Sequence, residues 1–152
     1  MILKRAAMKQ NIVFTAALTL LSLCWLPGVF AATDAEEKKI AGAIMVAEDF
    51  LLLIDTGQYG RSWDVCSSLL QSRVTKEAWI QQISAVRPAL GEPGKREIVS
   101  AEHMTELPGA PDGEYIVIQY ETSFADKKNA VETVTPMLDK DGQWRVSGYY
   151  IR

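Results

Sequence analysis

The hydrophobic period of this chain changes once, at Gly91-Glu92-Pro93-Gly94, and that change limits the folds open to it. Upstream, apolar residues recur at helical spacing; downstream they alternate, the mark of half-buried strands. Thr33-x-x-Glu36 and Asp34-x-x-Glu37 both form capping boxes, and Ile40, Ala43, Ile44, Ala47, Phe50, Leu51 and Ile54 follow at helical intervals. A first helix is therefore expected from about Thr33 to Asp55, with Gly57 at its C-terminal cap. Met45, Val46, Leu52 and Leu53 widen its stripe, so its last half should lie deep in the fold. A second helical stretch covers residues 59–70, with Trp63, Cys66 and Leu70 on one face. A third, capped by Thr75, turns Trp79, Ile83 and Val86 inward and stops at Pro88.

Four strands are expected beyond the switch, at residues 96–107, 114–124, 130–138 and 143–151. The three joins between them are short enough for antiparallel hairpins. Pairing Met137 with Trp144 across the last turn sets Thr135 against Val146 and Val131 against Tyr150 on one apolar face. That register sends Glu132, Arg145, Ser147 and Tyr149 to the other face. Helices segregated before an antiparallel sheet make the class α+β, with three N-terminal helices packed on a curved four-stranded sheet. With 48% hydrophobic and 23% charged residues in 152, the chain is neither disordered nor low-complexity, and a single domain is the natural count.

The first residues read as an export signal. Lys4, Arg5 and Lys9 form a basic start, residues 12–26 are an apolar run, Pro27-Gly28 breaks it, and Val29 and Ala31 are the small residues a signal peptidase reads. The expected division is a signal peptide over 1–31 and one α+β domain over 32–152. An uncleaved anchor is the rival, but 15 helical residues span roughly 22 Å against a hydrocarbon core of about 30 Å. Lipid attachment at Cys24 would need a small residue where Leu23 stands. Removing 31 residues from 152 leaves 121, with 13 basic against 19 acidic and a net charge of −6. A periplasmic or secreted protein of that charge is not expected to bind nucleic acid or, once its signal is gone, an anionic membrane.

Several segments together are similar to a known family. Residues 50–59 (FLLLIDTGQY) with Ser62-Trp63-Asp64, residues 73–79 (RVTKEAW), Ala85-Val86-Arg87 with Gly91, and residues 132–137 (ETVTPM) resemble the exported bacterial family called domain of unknown function 4019. The element order, with residues 55–59 between the first helices and residues 142–146 (GQWRV) opening the last strand, resembles the nuclear transport factor two-like, or cystatin-like, α+β cone. The resemblance implies a fold and an export route. It implies no activity, because that superfamily holds isomerases, dehydratases, cyclases and non-enzymatic binding modules.

Candidate chemistry is sparse. His103 is the single histidine and lacks a nucleophile or carboxylate at catalytic spacing, so it reads as a surface or rim residue. Asp139-x-Asp141-Gly142 begins like a calcium loop, but the glycine comes too early and no closing acid follows, which leaves a hairpin turn. No His/Cys metal cluster, phosphate loop, nucleophile elbow or dinucleotide fingerprint is present, so no metal or cofactor is expected. Cys66, alone once the signal is removed, reads as a buried thiol, against a disulfide-linked homodimer. Tyr120 and Glu121 are adjacent on a strand and point to opposite faces, so they cannot serve one pocket, and Glu121 and Glu132 are expected to pair with Arg145 outside. Tyr120, Trp144 and Tyr150 are the candidate ligand-binding residues, aromatic walls at the mouth of the cone. The function expected is a non-enzymatic exported module that binds a partner protein or a small apolar ligand. The alternative is a small proton-transfer enzyme of the isomerase or dehydratase type, using a pocket carboxylate.

Overall fold

The computed structural model describes the backbone of residues 28–152 and the side chains of 33–152. The expected signal peptide, apart from the backbone of 28–31, lies outside the described residues. Four helices, α1 (Gly28–Asp55), α2 (Tyr59–Asp64), α3 (Ser68–Arg73) and α4 (Lys76–Val86), lead through a 3-10 turn (Arg87–Leu90) into the strands. These are β1 (Pro93–Met104), β2 (Tyr115–Phe124), β3 (Ala130–Leu138) and β4 (Trp144–Ile151), in a sheet of order β1-β2-β3-β4 with every neighbouring pair antiparallel. The α+β class and the four strands agree with the sequence.

The helices differ in detail. The described part of α1 is already helical from Gly28, so the capping boxes at Thr33 and Asp34 lie within it; Ala31 and Ala32 favour helix and do not stop it. α1 buries Ala43, Ala47, Phe50, Leu51 and Ile54, but Met45 is 67% and Leu52 60% exposed. The wide apolar stripe is thus covered on one side only, since α1 lies on the sheet and is not enclosed by it. The expected helix over 59–70 divides in two at Val65-Cys66-Ser67. There the Ser67 N–H bonds the carbonyl of Val146 in β4 at 2.9 Å, while the Ser67 hydroxyl caps α3 by accepting from Leu70 N–H. α4 is capped by Thr75 as expected; Trp79 is buried and donates its indole N–H to Ser62 Oγ at 3.0 Å, but Val86 stays exposed.

The β3–β4 register differs by more. Leu138 faces Trp144, Met137 faces Arg145 and Pro136 faces Val146, and past a bulge Thr135 faces Gly148, Val134 faces Tyr149 and Thr133 faces Tyr150. Pro136 has no N–H for the ladder, and the irregularity beside it takes up one extra residue of β4, Ser147, whose hydroxyl bonds Thr135 O at 2.8 Å. Glu132, Val134 and Pro136 accordingly face the helices, so the expected apolar face of β3 is reversed. β1 begins three residues before the expected position, because Gly91 lets the chain turn directly into it. Gly91 has φ +75°, and a Cβ there would stand 2.6 Å from Asp126 Oδ2 and 2.8 Å from Ala125 Cβ.

The β3–β4 turn is tied to α3 by Asp139, which accepts from Ser68 N–H at 2.8 Å and Ser68 Oγ–H at 2.7 Å. These bonds hold the Asp139 carboxyl below its ordinary range. Asp139→Asn is expected to cost roughly 1–3 kcal/mol of stability at pH 7. Because the folded-state pKa is depressed, that advantage is present above the unfolded pKa and disappears as pH falls through the folded one. Urea denaturation of wild type and variant at pH 7 and at progressively lower pH should show the two curves converging.

A buried ionic network and its cleft

The interior contains a carboxylate where the sequence suggested an outward one. Glu132 has 0% of its surface exposed and faces inward from β3. Its Oε2 accepts from Arg96 Nε at 2.7 Å and from Thr122 Oγ1 at 2.5 Å, and its Oε1 accepts from the Tyr149 hydroxyl at 2.6 Å. Arg96 in turn donates from Nη1 to Asp55 Oδ2 at 2.8 Å and from Nη2 to Asp55 Oδ1 at 3.1 Å, while Arg87 Nη2 reaches the same Oδ1 at 2.6 Å. Two carboxylates and two guanidinium groups therefore balance in charge, one residue coming from the end of α1, one from the end of α4, and one from each of β1 and β3. Burial and the neighbouring carboxylate push the Tyr149 phenol far above its usual pKa, so it acts as a neutral donor. Arg87 also lies over the Phe124 ring, 4.6 Å from its centroid, and its Nε and Nη1 have no hydrogen-bond partner among the described residues.

Beside this network a cleft of about 700 Å³ opens between α1 and β1–β2. Glu48, Leu51, Leu52 and Asp55 of α1 form one wall, Arg96, Glu97 and Ile98 of β1 the other, and Tyr120 of β2 also borders it. Leu52 and Ile98 present apolar surface to solvent, whereas Tyr120 is 98% buried and its hydroxyl has no partner among the described residues. Burial first, then the Glu48 carboxylate, raise the Tyr120 pKa to about 12, which keeps its proton in place at neutral pH.

The three aromatic residues read from the sequence do not meet. Tyr120 borders this cleft; Trp144 lies in a separate groove of about 400 Å³ with Val46, Phe50, Asp64 and Val146; Tyr150 is 63% exposed and sits opposite Thr133, facing away from the helices. Asp55, Arg87 and Arg96 were not read from the sequence as site residues, and Glu132 was read as facing outward; the structure turns both Arg96 and Glu132 inward from the strands that flank β2. The expected pairing of Glu121 and Glu132 with Arg145 is not formed. Arg145 bonds Asp141 at 2.7 Å and lies 3.6 Å from Asp139, and Glu121 is exposed.

His103 lies elsewhere, with Nε2 2.6 Å from Glu114 Oε2, and Lys39 of α1 bonds the same oxygen at 2.7 Å. Lys39 first, and His103 second, hold the Glu114 carboxyl below its usual range. Among the described residues, no group of three or more His, Cys, Asp or Glu could hold a metal ion, and no helix is long and apolar enough to cross a membrane. Cys66 is buried, its Sγ donates to Ser62 O at 3.1 Å, and burial pushes the thiol up to about 12.

The family model described as "Protein of unknown function (DUF4019)" matches residues 46–149, from the middle of α1 to Tyr149 in β4. No curated protein matches the chain.

Two outcomes are expected. Arg96→Met, which strips Glu132 of its counter-charge, should cost about 3–5 kcal/mol, and the Arg96→Met/Glu132→Leu double variant should recover much of it; urea titration of the cycle measures this. Cys66 should react with a disulfide reagent slowly in the native protein and rapidly in urea, and a non-reducing gel should show monomer. A band at twice the mass, lost in Cys66→Ser, would mean a disulfide-linked homodimer instead.

Proposed function

The chain belongs to this family of proteins of unknown function, and from the cleft we propose that it is a non-enzymatic binding module that holds a small, largely apolar ligand between α1 and β1. The observation that carries this reading is the Tyr120 hydroxyl: buried, protonated and without a partner among the described residues, beside a cleft whose other walls include exposed Leu52 and Ile98. A buried polar group left unpaired costs free energy, and a ligand acceptor bonded to it recovers that cost. Small-ligand sites combine apolar walls with a few such groups. A partner protein would have to engage the same strip of Leu52 and Ile98, but the buried hydroxyl favours a ligand small enough to enter.

Proton transfer would need a carboxylate with a lone pair free toward the cleft. Glu132 is occupied by Arg96, Thr122 and Tyr149, and Asp55 by both arginines, so these two act as fixed counter-charges. Glu48, the cleft acid with no salt bridge among the described residues, is exposed on the α1 wall, and no hydrogen bond among those residues fixes its carboxylate in a catalytic position. The same proposal places the protein in the periplasm or outside the cell, on the basic start, apolar run and small residues read over 1–31, and gives it the cone of the nuclear transport factor two-like fold, which its segregated helices and four-stranded sheet support.

The neutral dye Nile red, which pairs an aromatic body with a carbonyl acceptor, is expected to bind with one-to-one stoichiometry and brighten. Tyr120→Phe should weaken it roughly three- to tenfold, and Ile98→Arg should abolish it while the protein stays folded by circular dichroism. Unchanged titrations in both variants would move binding away from this cleft.

A further inference from the structure

The sign of the charge in this cleft follows from which of its ionic groups are already paired. Arg96 directs Nη1 and Nη2 to Asp55 and Nε to Glu132, so every nitrogen of its guanidinium donates to a carboxylate of the protein itself. An anionic ligand would meet a guanidinium whose charge is already offset by two carboxylates of the protein. Asp55 is neutralised in the same way, by Arg96 and by Arg87. What remains is Glu48 on the α1 wall. Glu48 is exposed and has no salt bridge among the described residues. Glu97 stands between Arg96 and Ile98 on β1 and opposite Glu121, so its carboxylate turns to the outer face of the sheet, where it pairs with Lys95 at 2.8 Å.

That acid alone would describe a solvated rim. The second observation is Tyr120, whose buried hydroxyl lacks a partner among the described residues and borders the same cleft, close enough to Glu48 for that carboxylate to raise its pKa. A carboxylate on one wall, apolar side chains beside it and a neutral donor on the floor are the complement of one kind of molecule.

We infer that the cleft selects organic cations: an amine carried on an apolar body, the body against Leu51, Leu52 and Ile98, the ammonium drawn to Glu48, and an acceptor atom, where present, accepting a hydrogen bond from the Tyr120 hydroxyl. This inference rests on the reading of the cleft as a ligand site, but adds a charge preference that can fail by itself. Apolar contact alone would not distinguish an amine from an alcohol or a carboxylate of the same skeleton; the Glu48 carboxylate does.

Three probes of one skeleton test it: 4-phenylbutylamine, 4-phenylbutanol and 4-phenylbutyrate, titrated calorimetrically into the full mature chain at pH 7 and low ionic strength. The amine is expected to bind roughly three- to tenfold more tightly than the alcohol, and the carboxylate more weakly than either. Glu48→Gln should remove most of the amine's advantage over the alcohol, as should added salt. Glu102→Gln, an equal change of charge at an exposed site farther along β1, should leave the ratio as it was. Equal affinities for amine and alcohol, or a preference for the carboxylate, would overturn the charge preference while leaving the ligand site intact. If the alcohol and Nile red both fail to bind, the site itself falls and the preference with it.

Discussion

A fully buried carboxylate must find its counter-charge inside the protein, and much of this structure is arranged around that requirement for Glu132. Its partners are spread along the chain: Arg96 is 36 residues away, Thr122 is 10 and Tyr149 is 17. β1, β2 and β4 each deliver one hydrogen-bond donor to a residue of β3. A slip of one residue in any pairing would turn that donor to the opposite face and leave the charge unpaired, so the network specifies register more sharply than apolar packing does. Arg96 then carries the constraint to Asp55, at the last turn of α1, and Asp55 passes it to Arg87, where α4 ends. One continuous set of charged bonds therefore positions the C-terminal end of the long helix relative to the sheet and to the short helices.

The cleft is a by-product of the same arrangement. α1 is held to the sheet at Asp55, and its N-terminal half is tied to the rest through the Lys39–Glu114 pair. Between those ties, on the side of β1, the helix leaves Leu52 and Ile98 uncovered. The groups that fix the fold and the groups offered to a ligand are thus neighbours with separate roles. Arg96 and Asp55 are bonded to each other and to Glu132 and Arg87, whereas the Tyr120 hydroxyl has no hydrogen-bond partner and Glu48 no salt bridge among the described residues.

The order of helices and strands was legible because it rests on local periodicity, and Thr75, Gly57 and the three hairpin joins marked boundaries that local chemistry sets. The break at Cys66-Ser67 was hidden, since Trp63, Cys66 and Leu70 keep helical spacing across it. Its cause is a bond to Val146, nearly eighty residues along, which no window of neighbouring residues contains. Glu132 misled for a related reason: alternation assigns a charged residue to water, and only its distant partners make the inward face tolerable. Pro136 was the visible warning, a residue that cannot complete a ladder in the middle of a strand. Of the candidate site, Tyr120 was recognisable as an aromatic on an inward strand position. Trp144 and Tyr150 were grouped with it because an unbroken register puts both on one apolar face, and the bulge at Ser147 separates Tyr150 from the inner face.

The two margins of the sheet are guarded against further growth by different means. An unpaired strand offers a row of backbone donors and acceptors on which another chain can template itself. Along β1 that row is interrupted: Pro93 lacks a donor, Lys95 and Glu97 are charged, and an irregularity between Ile98 and Ser100 twists the strand out of alignment. Along β4, Ser67 caps the Val146 carbonyl from outside. With the row broken over the first half of β1 and one carbonyl of β4 already taken, a long, flat neighbour finds fewer backbone partners on either margin, which disfavours strand-by-strand addition beside the apolar surface at β1.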